Sequence, residues 1–376
     1  MIKLFSIVLL SMLFLYSIFY LGSAFIYFFS MRKLKNKSSY LTKFSIIIPA
    51  RNEEKNITHI LNDLSAQDYP KELYEIIVVD DESTDRTNYL AQKFLMENND
   101  LQIKLISLKS NEYKKKGAIM SGIKDAANEI IITRDADTIS NKNWLISISS
   151  FIEFNKADMY IAPVKLQESK TFFGVFQEME HAVLQSSGGG MAILNRPYLC
   201  NGANLIFKKS QFEKLNGYEG NLQEASGDDI FLMEKFRKDS TAEISYIPIE
   251  EAAVTTFPLE NLRDIIQQKI RWSGKFKLSA SFLNSFSAFL FTFTHILFAL
   301  SPIFFFKESS SMFFFVIFLS IKLSSDYLLL LLSHKKMDVK AILLTPVFSF
   351  FIPIYIILIF FSGLLNKKSW KGRDVD

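Results

Sequence analysis

The sequence predicts an α/β domain built on a mostly parallel sheet with helices on both faces, joined to membrane-spanning helices. Three observations predict it. Short apolar runs alternate with single amphipathic stretches through the middle of the chain, long uncharged apolar runs occupy its two ends, and acidic residues gather where the short runs stop. The chain has 376 residues, of which 43 are Lys or Arg and 39 are Asp or Glu, for a formal charge of +4. That balance, with no basic tract interleaved with aromatics, excludes nucleic acid as a natural partner. The single cysteine, Cys200, excludes an intrachain disulfide and a cysteine metal cluster.

Residues 1–30 supply the first element. Leu4 to Ser30 is nearly uncharged and long enough to span a bilayer. For a signal peptide its apolar core is too long and only Lys3 precedes it. Arg32, Lys33, Lys35 and Lys37 follow at once, so the positive-inside rule puts the next unit, residues 31–280, in the cytoplasm. Residues 281–365 hold three further apolar segments, Ser281 to Phe306, Ser311 to Leu332 and Ala341 to Leu365. Arg271, Lys275 and Lys277 flank the first, and Lys335, Lys336 and Lys340 separate the second from the third. Four full crossings from an outside N-terminus leave the tail, residues 366–376, outside, against its Lys367, Lys368, Lys371 and Arg373. A C-terminal segment that lies along the surface or re-enters is the other arrangement. Either way the expectation is a multi-pass cell-membrane protein. Lys322 and Asp326 are four apart within the apolar run and read as a pair closing a helix contact or near a wet edge, with an intramembrane functional pair as the alternative.

In the middle unit, Phe44 to Pro49 is a nearly continuous apolar run, as a buried parallel strand requires, ended by proline. Arg51 to Ile57 opens a helix, Tyr74 to Val79 is the next strand, and Asp80 to Asp85 is the turn and cap before another helix. Leu101 to Ser107 is a third strand, Gly117 to Ala127 a helix, and Glu129 to Thr133 a fourth strand. On such a sheet ligands gather beyond the carboxyl ends of the strands. Asp80 and Asp81 end the second strand there, and Asp135 and Asp137 lie just past the fourth.

An isolated acidic turn is commonly a helix cap, but two at one sheet edge point to ligand chemistry. Ala136 is small enough to let Asp135 and Asp137 face one point. Their repulsion is then relieved by a divalent cation with oxygen ligands, Mg2+ or Mn2+, shared with a diphosphate. A structural ion or a capping role is the alternative. Further on, Asp228 and Asp229 start an amphipathic helix, placed to take a proton from an acceptor, or simply to cap it. Gln268 and Arg271 share a helix face with Trp272 adjacent; the arginine fork suits phosphate and the indole a sugar or lipid. A basic amphipathic segment that anchors the domain to the membrane is the alternative, and the two roles are compatible. His181 reads as a packing residue or an added metal or acceptor contact, and Gly188 to Gly190 as a mobile loop over an acceptor or a hinge.

Taken in order, FSIIIPARNEE, IIVVDDESTDRT, TRDADT, NGANLIFKK, GDDIFL and QKIRW run from Phe44 to Trp272, about 60% of the chain. On these stretches the chain resembles the membrane-anchored branch of the family 2 inverting glycosyltransferases, which have the GT-A fold. The resemblance implies that Pro49, Ala50, Arg51 and Glu53 line the nucleotide pocket, with Asp80 or Asp81 bonding a uracil-like base and Lys115 nearby. Asp135 and Asp137 look like the family's DxD, holding metal and diphosphate. Asp229 aligns with the proposed general base, and Gln268, Arg271 and Trp272 match the QxxRW signature at the diphosphate and acceptor end. Asp228 stands where Glu is commoner, and Met120 where the family usually has Asn.

The reaction implied is direct displacement at the anomeric carbon, with Asp229 deprotonating an acceptor hydroxyl. The donor is a nucleotide-sugar, expected to be a UDP-sugar, and the acceptor a hydroxyl of a membrane lipid or lipid-linked glycan. Processive polysaccharide synthesis is the main alternative, for which four spans or fewer give little shelter to a polymer. A noncatalytic membrane scaffold with a retained fold is a second, and a nucleotidyltransferase, which leaves Gln268 to Trp272 without a role, a third.

Overall fold

The computed structural model describes residues 2–34, 41–109, 114–223, 227–278, 281–306, 309–333, 339–365, 369–370 and 373–374. Several charges used to orient the chain, Lys35, Lys37, Lys335, Lys336, Lys367, Lys368 and Lys371, lie outside the described residues. The elements, in order, are α1 (Ile2–Ser30), β1 (Phe44–Ala50), α2 (Ile57–Ser65), β2 (Tyr74–Asp81), α3 (Thr87–Glu97), β3 (Gln102–Leu108), α4 (Lys114–Asp125) and β4 (Ile130–Thr133). They continue with β5 (Thr138–Ser140), α5 (Trp144–Phe154), β6 (Met159–Ile161), β7 (Val164–Leu166), α6 (Phe172–Ile193), β8 (Leu205–Lys208), α7 (Lys209–Lys214) and α8 (Asp228–Lys238). The last are β9 (Ile244–Tyr246), β10 (Val254–Thr256), α9 (Leu262–Leu278), α10 (Phe282–Phe305), α11 (Ser309–Ser333) and α12 (Val339–Leu365).

Among the described residues one sheet has seven strands in the order β3-β2-β1-β4-β8-β6-β9. The first four run parallel, as strands joined by single helices must. β8 is antiparallel to both β4 and β6, and β9 runs parallel to β6. The sheet is covered on both faces because β1 alternates apolar side chains on either side. Ile46 and Ile48 join a core with Leu61 and Leu64 of α2 and Leu145 and Ile148 of α5. Ile47 joins the opposite core with Ile119 and Ile123 of α4 and Met233 and Phe236 of α8. A smaller sheet, β5-β10-β7, was not anticipated. Its strands have three residues each, too few for an alternating pattern to register.

Two expectations are corrected. The helix expected from Arg51 begins at Ile57; Asn52 adopts a left-handed φ of 52°, and the residues before α2 bond across to the β2–α3 turn instead. Gly188 to Gly190 are neither loop nor hinge but lie inside α6, which packs along α1. A side-chain carbon on Gly190 would fall 1.9 Å from the Ser23 carbonyl oxygen of α1, and one on Gly189 2.7 Å from the Tyr27 ring. The missing side chains are what let the two helices approach so closely.

Among the described residues four helices are long and apolar enough to cross a membrane: Lys3–Ser30, Phe282–Phe305, Met312–Ser333 and Ala341–Ser362. α6 links them to the α/β unit. Its Phe176 packs edge-on against Phe351 and Tyr355 of α12, at 5.2 and 4.9 Å. Ser186 lies 2.7 Å from Ser333 of α11.

Candidate active site

The carboxyl ends of β1 and β2 are laced together. Arg51, buried, donates from Nη1 to the carbonyls of Asp81 (2.6 Å) and Glu82 (2.9 Å). The Glu53 amide donates to Thr87 Oγ1 at 2.7 Å, and the Glu54 amide to Asp85 Oδ2 at 3.1 Å. The Asp80 carboxylate is engaged within its own turn, accepting from the Ser83 amide at 3.2 Å and from Asn88 Nδ2 at 2.8 Å. Ala50 pairs with Asp80 in the sheet register, which puts Pro49, Ala50, Arg51, Glu53, Asp80 and Asp81 around one rim.

At the end of β4 the chain turns on Arg134, a residue not singled out from the sequence. It is fully buried and donates to Asp63 (2.7 Å), Ser140 (3.1 Å) and Thr138 (3.1 Å), with its guanidinium 4.6 Å from the Trp144 ring centroid. Thr138 Oγ1 donates to the Asp135 carbonyl at 2.7 Å, closing the turn that presents the two carboxylates. Asp135 is half-buried and Asp137 exposed.

Lys115 reaches this turn from the first turn of α4. Its Nζ donates to Asp135 Oδ1 at 2.8 Å and lies 3.5 Å from Asp228 Oδ2. Burial alone would lower its pKa, but the carboxylates of Asp135, Asp228 and Asp229 outweigh that and hold the ammonium well above its ordinary value. Asp229 Oδ2 accepts from the Gly202 amide at 3.3 Å and Oδ1 from the Ile230 amide at 2.8 Å, at the N-terminus of α8, where the helix dipole favours a carboxylate. Gly202 is cramped: a side-chain carbon there would stand 3.0 Å from Asp228 Oδ2 and 3.7 Å from Lys115 Nζ. Three acids from two distant segments therefore converge on one lysine.

Lys116, next in the chain, points the other way. It is buried and donates to the carbonyl and side chain of Asn221, both at 2.6 Å, tying α4 to the loop before α8. A signal for it existed, since Lys116 stands three and seven positions before Ile119 and Ile123 on the inward stripe of α4.

Gln268, Arg271 and Trp272 lie on α9, away from the sheet rim in sequence and packed beside α12. Between them Lys269 bonds Glu180 of α6 and stands 4.5 Å from the Trp272 ring centroid. Burial lowers the Arg271 pKa. His181, beside Glu180, is bonded to the Val164 carbonyl at 2.9 Å.

Among the described residues no three His, Cys, Asp or Glu side chains gather as a ready-made metal cage. Two carboxylates at an accessible turn still suit a hard divalent cation that takes its remaining ligands from phosphate and water. Asp135 and Asp137 are the residues that fit such an ion.

The family model for glycosyl transferase family 2 matches residues 45–215. The chain carries a family 2 glycosyltransferase domain. The matched stretch contains the Asp80–Asp81 rim, Lys115, Asp135 and Asp137, while Asp228, Asp229 and α9 follow it. The poly(ribitol-phosphate) beta-N-acetylglucosaminyltransferase TarS of Staphylococcus aureus is 35% identical over 125 residues, 33% of this chain and 21% of that protein. The chain thus spans about a fifth of that relative's length. A Methanococcus voltae protein, dolichyl N-acetyl-alpha-D-glucosaminyl phosphate 3-beta-D-2,3-diacetamido-2,3-dideoxy-beta-D-glucuronosyltransferase, is 36% identical over 122 residues, 32% of this chain and 37% of its own. Among solved structures, the mannosyltransferase PcManGT from Pyrobaculum calidifontis, in complex with GDP-Man and Mn2+, superposes with a TM-score of 0.60 at 15% identity. That likeness covers 99% of this chain and 100% of the other, and it gives the glycosyltransferase domain its fold, GT-A.

Proposed function

We propose that this chain is an inverting glycosyltransferase that moves a sugar from a nucleoside-diphosphate donor, a UDP-sugar, to a hydroxyl of a membrane lipid or lipid-linked glycan. The observation that carries the reading is the convergence of Asp135, Lys115, Asp228 and Asp229 beside Gly202, at the carboxyl rim of a family 2 domain. Four helices able to span a bilayer, and the dolichyl-phosphate-linked substrate in the name of the Methanococcus relative, support an acceptor held in the membrane. The Mn2+ and GDP-Man bound by the Pyrobaculum neighbour support a metal-dependent nucleotide-sugar donor.

Asp229 is assigned as the general base. Its two backbone hydrogen bonds fix the carboxylate's orientation, so that it can accept a proton from the acceptor hydroxyl as that oxygen attacks the anomeric carbon. Asp135 and Asp137 would hold Mg2+ or Mn2+, which when bound supplies charge stabilisation for the departing diphosphate. Lys115 would supply a donor and positive charge beside Asp135, with Arg271 and Gln268 of α9 assigned to the diphosphate and acceptor end, Trp272 to a flat apolar face for the acceptor, and the Arg51 loop to the floor of the nucleotide pocket. The catalytic unit is assigned to the cytoplasmic side by the charges that follow α1.

Membranes containing the protein, incubated with labelled UDP- and GDP-sugars with and without Mn2+, test the reading. A labelled lipid product that requires Mn2+ is expected. A high-molecular-weight polymer would favour processive synthesis, and no transfer from any donor a scaffold. With the active donor identified, Asp229→Asn should lower kcat by about 10²- to 10⁴-fold, the usual weight of a general base, while leaving nucleotide affinity unchanged.

A further inference from the structure

Lys115 has a feature that the transfer mechanism does not use. Its ammonium stands where it neutralises the acidic cluster from inside: 2.8 Å from Asp135 Oδ1, 3.5 Å from Asp228 Oδ2, and close enough to Asp229 to feel its charge. A divalent cation on the same Asp135 oxygen would meet a like charge at hydrogen-bond distance, a repulsion that partial burial screens poorly. The lysine and the metal thus compete for one carboxylate.

The competition has a natural release. Lys115 lies in the first turn of α4, and its side chain is partly solvent-exposed, 22%, so the flexible stem can swing. An incoming diphosphate offers the ammonium new oxygens while giving the metal its missing ligands. Lys116, by contrast, is locked to Asn221 and keeps the helix end in place as its neighbour moves.

We propose that Lys115 is an exchangeable counter-ion that holds Asp135 until a nucleoside diphosphate arrives, so that metal binds well only together with the nucleotide. The inference rests on the metal-dependent reading above and adds an order of binding to it. It also accounts for how Asp135, Asp228 and Asp229 are tolerated together.

The test is Mn2+ binding to the full chain in detergent micelles, read by electron paramagnetic resonance of the free aquo ion, with UDP or GDP present or absent and with Mn2+–nucleotide complexes formed without protein subtracted. In the wild type, affinity with nucleotide should exceed affinity without it by at least about tenfold, roughly the effect of one opposed charge at an exposed site. Lys115→Met should bind Mn2+ alone about tenfold tighter than the wild type, narrowing the difference that nucleotide makes, and Lys115→Arg should keep the wild-type weakness. Lys115→Met that binds Mn2+ alone no tighter than the wild type overturns the proposal. If Lys115→Met does not fold, Lys115→Gln removes the same charge. If neither folds, the wild type decides, since equal Mn2+ affinity with and without nucleotide also overturns it. Asp135→Asn separates the two readings: losing nucleotide-supported Mn2+ binding leaves the metal site standing whatever Lys115 does, and wild-type binding removes the metal site itself.

Discussion

Arg134 stands between the last residue of β4 and Asp135, with its guanidinium bonded to Asp63, Thr138 and Ser140 and its flat face on Trp144. The bonds need a planar fork, which lysine cannot offer. Arg134→Met leaves the Asp63 carboxylate without its buried partner, and breaking such a pair costs about 3–5 kcal/mol. The thermal midpoint of the detergent-solubilised protein should fall accordingly, and metal-dependent transfer should fall with it because Asp135 hangs from the same turn. His181 offers a pH test. Burial holds its pKa below the ordinary value, helped by the nearby Lys269. A histidine whose folded-state pKa is depressed adds stability that is complete above the unfolded value of about 6.5 and is lost as pH falls through it toward the folded value. Thermal midpoints measured from pH 7.5 to 5 should therefore drop more steeply for the wild type than for His181→Asn.

At the scale of the element, α6 is the joint between the α/β unit and the apolar helices. Its Gly189 and Gly190 meet α1, Ser186 meets α11, and Phe176 meets α12. Read as sequence, three consecutive glycines suggest a breaker, since each costs roughly 1 kcal/mol in a helix interior relative to alanine. Packing reverses that reading, because only glycine lets the Ser23 backbone lie against α6. Gly190→Ala places a carbon 1.9 Å from the Ser23 carbonyl oxygen, backbone against backbone, so the helices must separate. Overpacking of this kind costs about 1–3 kcal/mol. A lowered thermal midpoint and faster proteolysis between α1 and β1 are expected, while Gly220→Ala, whose added carbon meets nothing nearer than 4.0 Å, serves as a control for glycine loss at a left-handed turn.

At the scale of the whole molecule, the four apolar helices meet at one ion pair. Lys322 pairs with Asp326 on α11 and lies 3.2 Å from His295 Nε2 of α10. Asp326 accepts from Tyr16 of α1 at 3.2 Å and from Ser349 of α12 at 2.6 Å. The pair is buried rather than at a wet edge, and it closes contacts among all four helices. Removing one partner strands a buried charge, at about 3–5 kcal/mol, whereas replacing both with apolar residues of similar volume is often near neutral. Lys322→Met and Asp326→Leu should each shorten the lifetime of the folded protein in detergent at elevated temperature, and the double replacement should recover most of it. Equal loss in the single and double variants would mean that packing, not charge, holds the bundle there.

The strands of the parallel half, the acids at their carboxyl ends and the long apolar helices were legible in the residues, because each is written in a local period or a local composition. Phe44 to Pro49 could only be a buried strand, and Leu4 to Ser30 could only be a long apolar helix. The left-handed Asn52 that delays α2, the Asn221 partner that Lys116 finds, the buried Arg134 and the helical glycines of α6 were not legible, because each answers to a partner far off in the chain. Local sequence determined which carboxylates reach the rim. Tertiary structure alone decided that Lys115 from α4, Asp135 from β4 and Asp228 and Asp229 from α8 share one point, since charge cancellation across 20 and 113 residues of separation exists only once the sheet has brought those strand ends together.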